Sequence, residues 1–149
     1  MECLAQAIGT NESLEYIHID NCKLLQSHGI CIGRALMQNM SLKHLTLIDC
    51  GIGNRALKEI AKGIKEAICL QYVDLRHNNF ETEGLRALID ALKSTMACKV
   101  LQIEGYYFKM EEAEMIAGFL NEPNCVIEEL DLHQAELDYD VFNLLAGAL

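Results

Sequence analysis

The fold is decided by one stretch of sequence, LQYVDLRHNNF at residues 70–80, because its pattern recurs along the chain. Equivalent stretches occupy residues 14–24, 42–52, 98–108 and 127–137, so successive copies are offset by 28, 28, 28 and 29 residues. A constant period of this length indicates one supersecondary unit that is stacked repeatedly. The 149 residues, 51% of them hydrophobic, are enough to bury a long continuous core.

Each copy begins with the pattern of a short strand, in which apolar and polar side chains alternate. The expected inward pairs are Ile17 and Ile19, Leu45 and Leu47, Val73 and Leu75, Leu101 and Ile103, and Leu130 and Leu132. After each strand the apolar residues recur in steps of three and four, which predicts a helix. The predicted helices cover residues 28–39, 54–66, 83–95, 110–121 and 139–149, with a partial one over 2–9. Because a helix is about 10 Å wide and neighbouring strands lie about 4.8 Å apart, the stack should curve with the sheet inside.

These positions resemble the leucine-rich repeat of ribonuclease-inhibitor-like proteins, which also occurs in NOD-like receptors, Ran GTPase-activating proteins and ciliary or cytoskeletal scaffold proteins. In the third copy the resemblance rests on Leu70, Val73, Leu75, Asn78, Phe80, Gly84, Leu88 and Leu92. It extends over essentially the whole chain. It implies an α/β fold, a right-handed β-α superhelix of about five repeats of 28–29 residues. The parallel sheet would form the concave face and the helices the convex face.

The resemblance also implies a small buried polar side chain that bonds to loop backbone, at Cys22, Cys50 and Asn78. Copies four and five depart from this pattern, with Tyr106 and Ala135 at that position. We expect altered core packing there. The alternative is that the aromatic run at residues 104–108 turns a side chain outward towards a partner.

The seven cysteines follow the repeat rather than a disulfide pattern. Cys3 and Cys31 are one period apart, as are Cys22 and Cys50, which is typical of a small buried position that returns in each repeat. No Cys-x-x-Cys pair or zinc-like cluster occurs, the start lacks a secretory signal pattern, and no apolar run could span a membrane. We therefore expect reduced thiols, no metal or other cofactor, and a cytoplasmic or nuclear protein.

Strand residues between the inward pairs should line the concave face in three rows. The first row is Tyr16, His44, Tyr72, Val100 and Glu129. The second is His18, Thr46, Asp74, Gln102 and Asp131, and the third is Asp20, Ile48, Arg76, Glu104 and His133. The predicted partner-binding residues are Tyr16, His18, His44, Tyr72, Asp74, Arg76, Glu104, Asp131 and His133.

A metal or acid–base site at His18, His44 and Asp20 is the alternative interpretation of one corner of this face. It is disfavoured because no third imidazole and no Ser or Cys nucleophile falls beside them. The chain also has no phosphate-binding loop, dinucleotide-binding glycine pattern, zinc-protease helix or nucleophile elbow. We predict a protein without catalytic residues that is not an enzyme.

The net charge of −10 is concentrated in the last third of the chain. Residues 1–100 contain eleven acidic and eleven basic residues, whereas residues 101–149 contain eleven acidic residues and one basic residue, Lys109. A solvated outer face explains this most simply, and a docking surface for a basic protein is the alternative. Nucleic acid is disfavoured because its phosphates would be repelled. The second full helix instead carries a basic stripe of Arg55, Lys58, Lys62 and Lys65.

These features predict a noncatalytic protein–protein interaction module or scaffold. Its protein partner would bind the concave face, the acidic last third, or both, and a basic partner is the alternative that the acidic last third suggests. The alternative is a regulator of a small GTPase, similar to Ran GTPase-activating proteins, with Arg76 near the phosphates. We expect one domain over residues 1–149, a fragment of a longer array or a subunit with covered ends, because neither end has a polar cap. Self-association through such uncapped ends is a further expectation.

Overall fold

The computed structural model of the protein describes residues 2–103, 109–133, 135 and 137–149, and within them helices and strands alternate. The helices are α1 (Glu2–Thr10), α2 (Gln26–Gln38), α3 (Asn54–Glu66), α4 (Thr82–Ser94), α5 (Met110–Leu120) and α6 (Tyr139–Ala146). The strands are β1 (Tyr16–Asp20), β2 (His44–Ile48), β3 (Tyr72–Asp74), β4 (Val100–Gln102) and β5 (Glu129–Asp131). The predicted helices are confirmed, with ends that differ from the prediction by at most three residues.

The five strands form one parallel sheet in the order β1-β2-β3-β4-β5. Equivalent residues of successive repeats pair directly, so Tyr16 lies beside His44, His44 beside Tyr72, Tyr72 beside Val100, and Val100 beside Glu129. Each parallel step needs a crossover, which one helix supplies. The predicted α/β leucine-rich-repeat architecture is therefore confirmed.

One hydrophobic core extends along the stack from Leu24 to Leu145. The inward pairs of the middle strands are 0–1% exposed, for example Leu45, Leu47 and Val73. Each such side chain contributes about 1.5–3 kcal/mol by leaving water. The inward pairs of β1 and β5 are only half-buried, because each of these strands has a neighbouring strand on one side alone.

The polar position after each strand behaves as predicted in the two middle repeats. The side-chain amide of Asn78 donates to the Leu47 and Leu75 carbonyls at 2.7 and 2.9 Å and accepts from the backbone N–H groups of Cys50 and Ile52 at 3.1 and 2.9 Å. The Cys50 Sγ lies 3.2 Å from the Ile48 carbonyl oxygen and 3.5 Å from that of Ile19, so its single hydrogen is shared between these two strand-end acceptors. The prediction is wrong for Cys22, whose side chain is exposed because no repeat covers the outer edge of β1.

The residue before this polar position has a left-handed backbone in three successive repeats. The φ angles are 48° at Asn21, 46° at Asp49 and 56° at His77. Asn, Asp and His adopt this region more readily than other side-chain-bearing residues. The turn directs the chain away from the sheet towards the next helix.

Two glycines allow the convex helices α2 and α3 to approach closely. A Cβ at Gly33 would lie 2.1 Å from the Glu59 carbonyl oxygen of α3, and a Cβ at Gly63 would lie 2.4 Å from the Gly33 carbonyl oxygen. These separations are far below van der Waals contact. The helix backbones therefore touch at this point, and no other residue fits without moving them.

Two further predictions concern the later repeats and the thiols. Ala135 is half-buried against the core, whereas the run at residues 104–108, including Tyr106, lies outside the described residues, so altered packing there stays a prediction. All six cysteines whose side chains are described are free thiols, and Cys50 and Cys98 are the buried ones. In the described parts of the chain, no helix combines the length and apolar character needed to cross a membrane.

Candidate functional site on the concave sheet

The first concave row contains three neighbouring aromatic rings, of which Tyr16 and His44 are stacked and His44 and Tyr72 are tilted. The ring centroids of Tyr16 and His44 are 4.3 Å apart with planes inclined by 19°, and those of His44 and Tyr72 are 5.2 Å apart at 31°. In-register pairing of equivalent residues produces this arrangement, because parallel strands place them one strand spacing apart. Tyr16, at the outer end, is 62% exposed. The rings thus form a supported aromatic surface that remains open to solvent.

Tyr72 is fixed at both ends of its side chain. Its ring packs on His44, and its hydroxyl donates to Gln102 Oε1 at 2.7 Å. Burial, reinforced by the nearby Asp74 carboxylate, raises the pKa of the Tyr72 hydroxyl, so it remains a hydrogen-bond donor. The sequence pattern did not identify Gln102 as the hydrogen-bond acceptor for Tyr72, although it did place Gln102 beside Asp74 in the second row.

Asp74 and Arg76 form a tight pair rather than two independent contact residues. Arg76 Nε donates to Asp74 Oδ1 at 2.9 Å and Nη2 to Oδ2 at 2.8 Å, while the Arg76 backbone N–H also donates to Oδ1 at 3.1 Å. Asp74 is 1% exposed. The prediction that Asp74 faces solvent is therefore wrong, because the guanidinium two residues later covers it. Thr46 in the same row is also buried.

The other predicted site residues spread along the face. His18 on β1 and His133 after β5 are exposed, and Asp131 is half-buried. The Asp131 carboxylate accepts the His133 backbone N–H at 2.8 Å, which repeats the contact between Asp74 and the Arg76 backbone. Glu104 lies outside the described residues. The structure thus brings Tyr16, His44 and Tyr72 together, and places Asp131 and His133 at the opposite end of the sheet.

Several acidic residues of the last third are paired with bases of the preceding repeat. Glu111, Glu122 and Glu128 lie 2.6, 3.3 and 2.5 Å from their partners on residues 86, 93 and 99. Glu112 is 1% exposed and accepts from the Lys109 backbone N–H at 3.0 Å and from the Thr82 hydroxyl. Interpreting the whole acidic set as a solvated surface is therefore wrong. Glu114, Glu129, Asp138 and Asp140 do remain exposed.

The basic stripe on α3 is also partly neutralised. Lys58 pairs with Glu83 of α4, and Lys62 Nζ lies 2.7 Å from Glu59 Oε1 on its own helix. Such exposed ion pairs contribute little to stability, because water and salt screen them. Within the described residues, no group of three or more His, Cys, Asp and Glu side chains is arranged to hold a metal ion.

Comparison with known proteins agrees with this architecture. The sequence profile of the family described as Leucine Rich repeat matches residues 38–61 and 67–88. The chain is 24% identical to pig (Sus scrofa) ribonuclease inhibitor over 139 residues, which is 93% of this chain and 30% of that protein. It is 26% identical to mouse (Mus musculus) NACHT, LRR and PYD domains-containing protein 14 over 140 residues, 93% of this chain and 14% of that protein. The chain thus spans less than a third of the length of these relatives.

Solved structures with similar folds include a tropomodulin domain and a leiomodin-1 segment. The tropomodulin C-terminal domain of Caenorhabditis elegans superposes with a TM-score of 0.83 at 12% identity, covering 99% of this chain and 90% of that one. Actin-binding site 2 of leiomodin-1 superposes with a TM-score of 0.78 at 18% identity, covering 97% and 86%. At these identities the likeness concerns the fold. With its repeat period, its in-register parallel sheet and its matched repeats, the chain is a leucine-rich-repeat solenoid that is similar in sequence to ribonuclease inhibitor.

Proposed function

We propose that this chain is a noncatalytic protein–protein interaction module that binds a protein partner on its concave sheet. The observation that carries the proposal is the Tyr16–His44–Tyr72 row, an aromatic surface that is open to solvent yet held by neighbouring strands. Tyrosine is enriched at binding hot spots, and side chains that are already ordered lose little entropy when a partner binds. Ribonuclease inhibitor and an actin-binding site, both named among the similar proteins, support a protein as the ligand.

The test compares partner capture by three versions of the full chain. Tyr16→Ala with Tyr72→Ala removes the aromatic surface, and Tyr139→Ala removes an equally exposed tyrosine from α6, outside the sheet. Each version is incubated with an extract of the source cells, and the captured proteins are quantified by mass spectrometry. We expect at least one partner to be lost tenfold or more from the concave variant and retained by Tyr139→Ala. Equal capture by all three would contradict binding through this face.

Arg76→Ala is unsuitable as a probe of binding. Removing the guanidinium would leave the Asp74 carboxylate buried and unpaired, which costs about 3–5 kcal/mol. A loss of binding in that variant would therefore report a damaged fold. The tyrosine substitutions leave no buried carboxylate without its guanidinium partner, since Arg76 and Asp74 are both retained.

The acidic last third is tested separately as the second surface for a basic partner. Glu114→Gln with Asp140→Asn removes two exposed carboxylates that lie on helices outside the concave sheet, without changing side-chain size. If a basic protein binds there, this variant weakens capture, and wild-type capture falls steeply with salt. Unchanged capture would leave the concave sheet as the binding face.

Regulation of a small GTPase stays a prediction with no specific support. The Arg76 guanidinium is engaged by Asp74, so it would have to leave that carboxylate to reach a bound nucleotide. Measured GTP hydrolysis by candidate GTPases, with and without the chain, decides the point. An interaction module leaves turnover unchanged.

The predicted cytoplasmic location is part of the proposal of an interaction module, and imaging of the tagged chain tests it.

A further inference from the structure

A row of exposed apolar side chains lies outside the concave face. Met40, Ile68 and Met96 are 65%, 66% and 67% exposed, and each follows the end of a helix in the loop that leads to the next strand. They are separated by 28 residues, one repeat period, so they occupy the same position in three successive repeats. Isolated exposed apolar residues are ordinary, but three in register form a continuous edge row.

The loops that carry the edge row are held firmly. Leu42, Leu70 and Cys98, two residues after each member, are 1–3% exposed. In the first loop the Asn39 amide donates to the Ile8 and Asn11 carbonyls, and its oxygen accepts the Ser41 and Leu42 N–H groups. The apolar side chains therefore project from a preformed backbone, and little conformational entropy would be lost when they are covered.

The charges around the edge row neutralise one another. Lys43 pairs with Glu15, Lys93 with Glu122, and Lys99 with Glu128. A partner therefore finds no strong field of either sign along this edge. Its contacts with the row would be apolar, and its affinity would depend little on salt.

The size of the row argues against a second copy of the chain. Three side chains expose at most a few hundred Å², an area that one docked segment can cover, whereas the interface of a stable dimer buries about 800 Å² on each partner. An extended segment would also lack backbone partners here, because the nearby N–H groups are already engaged. Those of Lys43 and His44 donate to the Glu15 carbonyl, and those of Lys99 and Val100 donate to the Gln71 carbonyl. A helix needs no such partners, because it satisfies its own backbone groups.

From these observations we propose that the edge row of Met40, Ile68 and Met96 binds an amphipathic helix of a partner protein. Neighbouring strands of the stack are about 4.8 Å apart and neighbouring helices about 10 Å apart, so neighbouring members of the edge row lie about 5–10 Å apart. This distance suits side chains one or two turns apart on a helix. Helices dock in this way through apolar residues at positions i, i+3 or i+4, and i+7. This surface is separate from the concave sheet and does not depend on the function proposed above.

Site-specific photo-crosslinking tests the proposal. Benzoylphenylalanine replaces Ile68 in one version of the chain and Leu25, an exposed residue at the opposite end of the helices, in a control version. After irradiation in the source cells, the crosslinked segment is mapped by mass spectrometry. We expect position 68, and not position 25, to link to another protein at a segment with apolar residues at helical spacing. Crosslinks to this chain itself, to an extended segment, or to no polypeptide would overturn the proposal.

The mapped segment, synthesised as a peptide, then provides a quantitative test. Combined Met40→Ser, Ile68→Ser and Met96→Ser substitutions should weaken its binding at least tenfold, and Ile68→Ser alone should weaken it measurably. Leu25→Ser and Tyr16→Ala with Tyr72→Ala should leave its affinity unchanged, and so should a threefold change in salt. Circular dichroism verifies that each variant remains folded. Unchanged peptide binding by folded Ile68→Ser and by the combined variant would refute the edge row as the docking surface.

Discussion

At the scale of single residues, Asn78 connects two successive repeats. Its amide joins a carbonyl of β2 to carbonyl and N–H groups of the turns that follow β2 and β3. Asn78→Ala leaves several of these groups unpaired at about 1–3 kcal/mol each, so we expect the free energy of unfolding to fall by about 2–4 kcal/mol. Asn78→Cys should cost less, because a thiol at the equivalent Cys50 still donates to strand-end carbonyls. Urea unfolding measures both, and equal losses would contradict this ranking.

The role of a residue could be predicted where the repeat determines it, but not where it depends on which side chains or strands lie beside it. The buried polar position at Cys50 and Asn78 was expected from the family pattern, since every inner repeat needs it. The burial of Asp74 was not, because strand alternation assigns a side chain to a face without saying what lies over it. Here the Arg76 side chain returns over the same strand end. The exposure of Cys22 has the opposite cause, as its strand has no outer neighbour.

At the scale of helices and strands, the contact between α2 and α3 gives opposite expectations for two glycines. Gly→Ala in a helix interior normally stabilises by about 0.5–1 kcal/mol. Gly118→Ala in α5 should do so, because a Cβ there has no atom within 4 Å. Gly33→Ala should instead destabilise by about 1–3 kcal/mol, since its Cβ would lie 2.1 Å from the Glu59 carbonyl oxygen. Thermal unfolding of both variants provides the check, and equal shifts of Tm would show that the helices separate freely.

The elements themselves were predictable, but their contacts were not. Apolar periodicity identified every helix and strand, because one face of each must be buried. It carries no information about how closely two helix axes approach, so the glycine contact went unnoticed. The three-residue lengths of β3, β4 and β5 were likewise not evident, because the repeat continues its alternation beyond the last strand hydrogen bond.

For the whole molecule, the 28-residue period was enough to predict register, strand order and curvature direction. Stacked identical units can share a core only when equivalent residues lie side by side, and the observed pairing follows this rule. The same rule brought Tyr16, His44 and Tyr72 into one row from sequence alone. What the period could not predict is which exposed rows bind a partner, because a row such as Met40, Ile68 and Met96 has no structural function that constrains it.

The continuous core also predicts that distant repeats unfold together. Cys50 in the second repeat and Cys98 in the fourth belong to the same hydrophobic cluster. Burial raises the pKa of the Cys98 thiol to about 12 and raises that of Cys50, so at about pH 8 both are protonated as well as shielded in the folded chain. With increasing urea, we expect iodoacetamide to modify both thiols over the same range, coincident with the loss of helical circular dichroism. Exposed Cys22 should react without urea. Modification of Cys98 at urea concentrations that leave Cys50 protected would show instead that the repeats open one after another.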